Sequence, residues 1–109
     1  MATLYQLHST MDTLSHATKA MARTWQAGDS VILLGSTIAF IDWFNAYLEE
    51  REIQDIAGIY ALADDVAQLT TNTSAKLNLE AKLHGLLTDL EWVNLTQDSR
   101  FDKVVTIAL

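Results

Sequence analysis

The chain of 109 residues contains no cysteine, no proline and only four glycines. Without a thiol it can form no disulfide, thiolate nucleophile, persulfide or cysteine-ligated metal site. Without proline, low-complexity runs or internal repeats, nothing marks a linker. Cations are also scarce: 7 Lys and Arg stand against 14 Asp and Glu, a formal net charge of -7. Contact with nucleic acid relies on Lys and Arg neutralising phosphates, so no direct nucleic-acid partner is expected. An anionic membrane surface would repel the chain for the same reason. No apolar run approaches the ~18–20 residues of a membrane span. Met1 to His8 lacks the basic start and apolar stretch of a signal peptide, so the expected location is the cytoplasm. Asn72-Thr73-Ser74 and Asn94-Leu95-Thr96 match the glycosylation pattern, which has no meaning without secretion.

What is present is apolar: half of the residues are hydrophobic. That is enough for one core and one domain over residues 1–109. Ala2 to Leu7 reads as a first strand. Ser9, Thr10 and Asp12 then offer N-cap chemistry, and Leu14, Ala17, Met21 and Trp25 follow at helical spacing. Lys19 and Arg23 suit the end of that helix, and Gly28 is placed to close it in a left-handed cap, with Asp29 beginning the turn. Val31-Ile32-Leu33-Leu34 is a continuous apolar run, the mark of a parallel strand covered on both faces. Gly35-Ser36-Thr37 breaks it, and Ser36 or Thr37 can cap a second helix over Ile38 to Glu50. Ile56 to Ala61 is a third strand, with Asp64 or Asp65 capping a short helix through Val66 and Leu69. Thr70 to Ser74 reads as a loop, and Ala75 onward as helix or loop, then a fourth strand from Lys82. Thr88 or Asp89 caps a helix holding Leu90, Trp92, Val93 and Leu95. A turn over Asp98 to Asp102 leads to a last strand at Val104 to Ile107. Strands alternating with helices over short connections imply an α/β fold: three layers, with a mostly parallel sheet of about five strands flanked by helices.

Familiar catalytic signatures are missing. Leu7-His8-Ser9-Thr10 holds no glycine, which argues against a phosphate-cradling loop after the first strand. There is no Gly-x-Ser-x-Gly elbow. The third strand ends in Tyr60-Ala61-Leu62, without the Asp a phosphoacceptor needs. The one polar constellation is His8 with Asp64 and Asp65, each just past a strand. The carboxyl ends of parallel strands gather at one edge, where ligands bind. An imidazole beside a carboxylate there could act as a general base or hold a metal. The simpler reading makes His8 a turn residue and the two aspartates helix caps, with no catalytic residue, metal or cofactor. His16 falls on the polar side of the first helix, and His84 receives no role.

The second helix stands out more. Ile41, Phe44 and Leu48 form one stripe, and Phe40, Trp43 and Tyr47 form another beside it. Together they span roughly 160°, wider than the arc that core packing needs. Either the helix is broadly buried, or Trp43 and Tyr47 stay outside the core and, with Phe40, anchor another subunit.

Several segments, in order, resemble the TusB/DsrH family of sulfur-relay proteins. Leu4-Tyr5-Gln6-Leu7-His8 resembles that family's "LHxLH" opening, and Ala27-Gly28-Asp29-Ser30-Val31-Ile32-Leu33-Leu34 its "GD-x-LLL" strand. Ile59-Tyr60-Ala61-Leu62-Ala63-Asp64-Asp65-Val66 is similar to its "VYAL-x-x-D" segment. Trp92-Val93-Asn94-Leu95-Thr96 with Asp102-Lys103-Val104-Val105 is similar to its "FV-x-LT … DKVV" ending. The chain departs from the family at Ser36-Thr37, where an Asp-Gly pair is usual. It departs again at its end, Ile107-Ala108-Leu109, where many members carry tryptophan. The resemblance implies a DsrE/DsrF/DsrH-type fold and a complex with TusC-like and TusD-like subunits. Such complexes pass persulfide sulfur toward 2-thiolation of the wobble uridine of tRNA, or serve sulfur oxidation in some bacteria. The sulfur-carrying cysteine sits on the TusD-like subunit. A cysteine-free chain therefore fits a non-catalytic structural subunit. A stand-alone binding or regulatory domain that homo-oligomerises is the other expectation.

Overall fold

A computed structural model describes residues 2–69 and 77–109. The chain runs β1 (Ala2–His8), α1 (Leu14–Ala22), β2 (Ser30–Leu33), a 3-10 helix (Gly35–Phe40), α2 (Ile41–Glu50), β3 (Gly58–Leu62) and α3 (Ala63–Ala67). It continues with α4 (Leu79–Lys82), β4 (Gly85–Leu87), α5 (Asp89–Thr96) and β5 (Phe101–Ala108). The five strands form one sheet in the order β4-β3-β2-β1-β5, and every pairing is parallel. This is the three-layer α/β architecture that the strand–helix alternation predicts. The expected loop at Thr70–Ser74 and the segment opening at Ala75 lie outside the described residues.

The strand order explains how the helices are divided. From β1 to β4 the chain steps across the sheet in one direction, so right-handed crossovers put the connecting helices on one face. The step from β4 back past β1 to β5 runs the other way and puts α5 on the opposite face. The core follows this division. Tyr5, Leu7, Val31, Leu33, Ile59 and Ala61 point to the first face, against Leu14, Ala17 and Met21 of α1 and Ile41, Phe44 and Leu48 of α2. The alternate strand residues Leu4, Ile32 and Leu62 are buried on the second face. There Trp92 of α5 donates its indole N–H to Oε1 of Gln6 at 2.7 Å.

Several expected boundaries move, each for a physical reason. α1 ends at Ala22 rather than at Gly28, so Trp25 lies beyond the helix. Its ring stacks on Tyr5, centroids 5.6 Å apart, and its N–H reaches Gln54 O. Tertiary contact, rather than helical spacing, places it in the core. Gly28 does adopt a positive φ of 93°, in the loop where its N–H donates to Asp55 O. The cap position of α1 is Thr13, not Ser9, Thr10 or Asp12, and its hydroxyl makes no cap bond. The second helix starts as the 3-10 turn with Leu34 at its cap; Ser36 and Thr37 already lie inside it. α3 springs directly from β3 with Leu62 at its cap, so Asp64 and Asp65 occupy its first turn instead of capping it. β3 begins at Gly58 and reaches Leu62, and β4 begins at Gly85, after Leu79–Lys82 has formed one helical turn. β5 is longer than predicted: Phe101 and Asp102, read as turn, belong to it. The expected cap at Thr88 is present as a full capping box with Glu91.

Candidate functional site

The order β4-β3-β2-β1-β5 reverses between β1 and β5. In open parallel sheets, such a reversal leaves a crevice outside the carboxyl ends of the two strands. A cavity of about 270 Å³ lies at that place, lined by His8, Ser9, Thr10, Ser36, Ala108 and Leu109. His8 closes β1 and is exposed, whereas Ser9 is buried. Two reciprocal bonds fix the floor: Ser9 N–H donates to Thr37 Oγ1 at 2.9 Å, and Thr37 Oγ1 donates to Ser9 O at 3.1 Å. The hydroxyls of Ser9 and Thr13 lie 2.8 Å apart, and Thr13 Oγ1 donates to Leu109 O at 3.0 Å. The loop after β1, the start of the 3-10 helix and the end of β5 are thereby tied together.

Of the three predicted polar residues, His8 and Asp65 meet only indirectly, through Gly35, and Asp64 is not brought to them. Gly35 turns the chain after β2 with φ +60°, and an added Cβ would stand 2.8 Å from His8 Nε2. On its other side, Gly35 N–H donates to Asp65 Oδ2 at 2.7 Å. Asp65 therefore holds the corner against which the His8 ring lies. Asp64 is exposed. Neither carboxylate forms an ion pair with His8; the ion pairs among the described residues are Lys82–Asp42 and Arg100–Asp98. No cluster of three or more His, Cys, Asp or Glu among the described residues is placed to hold a metal. The Ser9 hydroxyl is engaged with Thr10 O and the Thr13 hydroxyl. The site offers hydroxyls and one imidazole for binding.

The aromatic stripe beside α2 is split. Trp43 is 56 % exposed, while Phe40 and Tyr47 are half-buried and pack against the core. The Arg51 guanidinium lies 5.9 Å from the Tyr47 ring centroid and bonds Thr18 Oγ1 and Ser15, so it covers Tyr47 and staples α2 to α1. A second apolar surface was not anticipated. On α5, Leu90 is 70 % exposed and Val93 48 %, one turn apart on its outer side.

Sequence reasoning missed two further polar residues. Asp29 is fully buried and accepts from Thr3 N–H and Gln26 N–H, each at 2.8 Å, pinning the start of β1 to the loop before β2. His84 accepts the Ile59 N–H on Nδ1 at 2.9 Å while its backbone N–H donates to Ile59 O at 2.8 Å, extending the β3–β4 ladder. Nδ1 therefore carries no proton in this arrangement. Thr3 lies 26 residues from Asp29 and Ile59 lies 25 from His84, so no local pattern signals those bonds; Gln26, three residues before Asp29, is the local partner.

No family model matches the sequence, and no curated protein matches it. Among solved structures, it resembles a conserved protein of unknown function from Bacteroides thetaiotaomicron. The two share 16 % identity at a TM-score of 0.53, over 96 % of this chain and 94 % of that one. At that identity the likeness concerns the fold alone. No helix among the described residues is long and apolar enough to cross a membrane.

Proposed function

We propose that the chain is a non-catalytic structural subunit of a sulfur-relay complex of the TusBCD or DsrEFH kind. It supports persulfide transfer toward tRNA wobble-uridine 2-thiolation in a complex with TusC-like and TusD-like partners, of which the TusD-like chain carries the sulfur. The observation that carries this reading is the absence of any thiol in a chain whose segments resemble the TusB/DsrH family in order along nearly its whole length. Sulfur cannot be held as a persulfide without a cysteine, so such a chain contributes shape and contact. One feature supports it: Trp43 projects from α2 into solvent, as an interface anchor would.

The test is to mix the purified chain with TusC-like and TusD-like chains and weigh the products. The expected result is one complex containing all three, which transfers sulfur equally well with His8→Ala. Failure to co-assemble, or turnover by the isolated chain, rejects the reading. A second reading, a stand-alone small-molecule binding domain, is favoured by the cavity at the β1/β5 crevice. It would show as ligand binding by the unaccompanied chain, lost on filling the cavity with Ser36→Trp.

A further inference from the structure

The two edges of the sheet are unequal. β4 is three residues long and is followed at once by α5. β5 is eight residues long, and among the described residues no strand pairs with its outer side. A long open edge is a template for another strand, and proteins normally blunt it with proline, inward charge or a bulge. The stretch Val104-Val105-Thr106-Ile107-Ala108 has none of these. The one register shift in the β1–β5 pairing falls earlier on β5, where Asp102 is the extra residue between Phe101, opposite Ala2, and Lys103, opposite Thr3.

The hydrogen-bond direction along β5 can be read residue by residue. Leu109 N–H donates inward to His8 O at 3.2 Å. Backbone groups alternate sides within the sheet plane, so Val105 and Ile107 also bond inward to β1. Val104, Thr106 and Ala108 turn their N–H and C=O outward, with no described partner. Their side chains are exposed as well.

We infer that this edge pairs with the β5 edge of a second copy of the chain, antiparallel about a two-fold axis through Thr106, to give one continuous sheet across the dimer. The argument for a second copy is self-complementarity. A two-fold relation between antiparallel strands must stand perpendicular to the sheet, which keeps like faces together. Centred on Thr106, it sets each outward residue against an outward residue: Val104 against the second copy's Ala108, and Thr106 against itself. Thr–Thr pairs are favourable cross-strand neighbours. On the core face, Val105 meets Ile107 and prolongs the apolar row already formed by Tyr5, Val31 and Ile59. No charged residue lies between positions 104 and 108, so the pairing brings no like charges face to face in a chain of net charge -7. The contact uses neither α2 nor another protein, and so stands apart from the assembly proposed above.

Sedimentation of the purified full-length chain over a dilution series tests this directly. The expected result is a reversible species of twice the 12.1 kDa monomer mass. Thr106→Pro removes an outward donor and leaves the backbone bonds to β1 in place, losing only the Gln6 side-chain bond on that side, and should weaken the dimer at least about tenfold. Thr106→Asp keeps the backbone donor and the acceptor for Gln6, but sets two carboxylates opposite each other. It should give monomers, as should Thr106→Lys; mixing the Asp and Lys chains should restore a dimer. Amide exchange at Val104, Thr106 and Ala108 should be slow when concentrated and fast when dilute, with Val105 and Ile107 protected in both. A chain that stays monomeric overturns the proposal. So does a dimer that ignores the charge swap, one with freely exchanging even-numbered amides, or one that Trp43→Ala dissociates instead.

Discussion

Gly35 sits between two side chains that sequence reading had grouped as a possible catalytic pair. Its φ of +60° favours glycine, and the His8 ring occupies the space where a Cβ would go. Gly35→Ala should therefore lower stability by about 1–2 kcal/mol from the backbone alone, measured by urea unfolding. His8→Ala, at an exposed position, should change stability by less than about 0.5 kcal/mol. In the double variant only the part of the loss due to the clash should return. If Gly35→Ala is neutral, the corner is softer than its geometry implies. At this scale the sequence was partly legible. Proximity of His8 and the aspartates to one sheet edge followed from their positions after strands. What Asp65 does there did not, because its partner is a backbone N–H 30 residues away, brought near by the β2–β3 pairing. Asp29 is the sharper case: an aspartate after glycine reads as a turn residue, yet its carboxylate organises the start of β1.

Helix α5 shows what local chemistry specifies. Thr88 Oγ1 accepts the Glu91 N–H at 3.2 Å, and Glu91 Oε1 accepts the Thr88 N–H at 3.0 Å. Thr88→Ala should cost about 0.5–2 kcal/mol of stability, read from the urea midpoint. The Thr88 backbone N–H, and after it the Thr88 hydroxyl, hold the Glu91 carboxyl below its ordinary value of 4.5. A carboxyl with a lowered pKa in the folded state helps fully above the ordinary value and loses its effect as acid carries the pH down through the folded one. An NMR titration of Glu91 should move part of the way back toward 4.5 in Thr88→Ala, which keeps the larger backbone contribution; an unchanged titration would remove the hydroxyl's share. This cap was readable because all of its parts lie within four residues. The two stripes beside α2 were readable by period, since Ile41, Phe44 and Leu48 are buried. Exposure could not be read off that period: Phe40 and Tyr47 lean on the core, and Trp43 alone of the three is mostly exposed. On the sulfur-relay proposal, Trp43→Ala should weaken binding to the partner chains by roughly 1–3 kcal/mol with the monomer's melting unchanged. Tyr47→Ala should lower the melting temperature too, because that ring packs inward under Arg51.

At the level of the whole molecule, the alternation of strands and helices carried the architecture, while the order of the strands was beyond its reach. Nothing local in Val104 to Ile107 says that they lie beside Leu4 to Leu7, and the position of the cavity depends on that neighbourhood alone. Ala108, Leu109 and Ser36 could not have been named as cavity-lining residues without it. The pairing also bears on how the protein is made. β5 is the last of the five strands to leave the ribosome, and its mate is the first. Until residue 108 emerges, the flank of β1 that β5 will cover stays bare, and the sheet ends there on an apolar strand with unpaired amides. A nascent polypeptide halted before position 101 would thus present a sticky border for as long as the pause lasts. Slow codons in the stretch that encodes β5 would prolong that exposure and favour clumping.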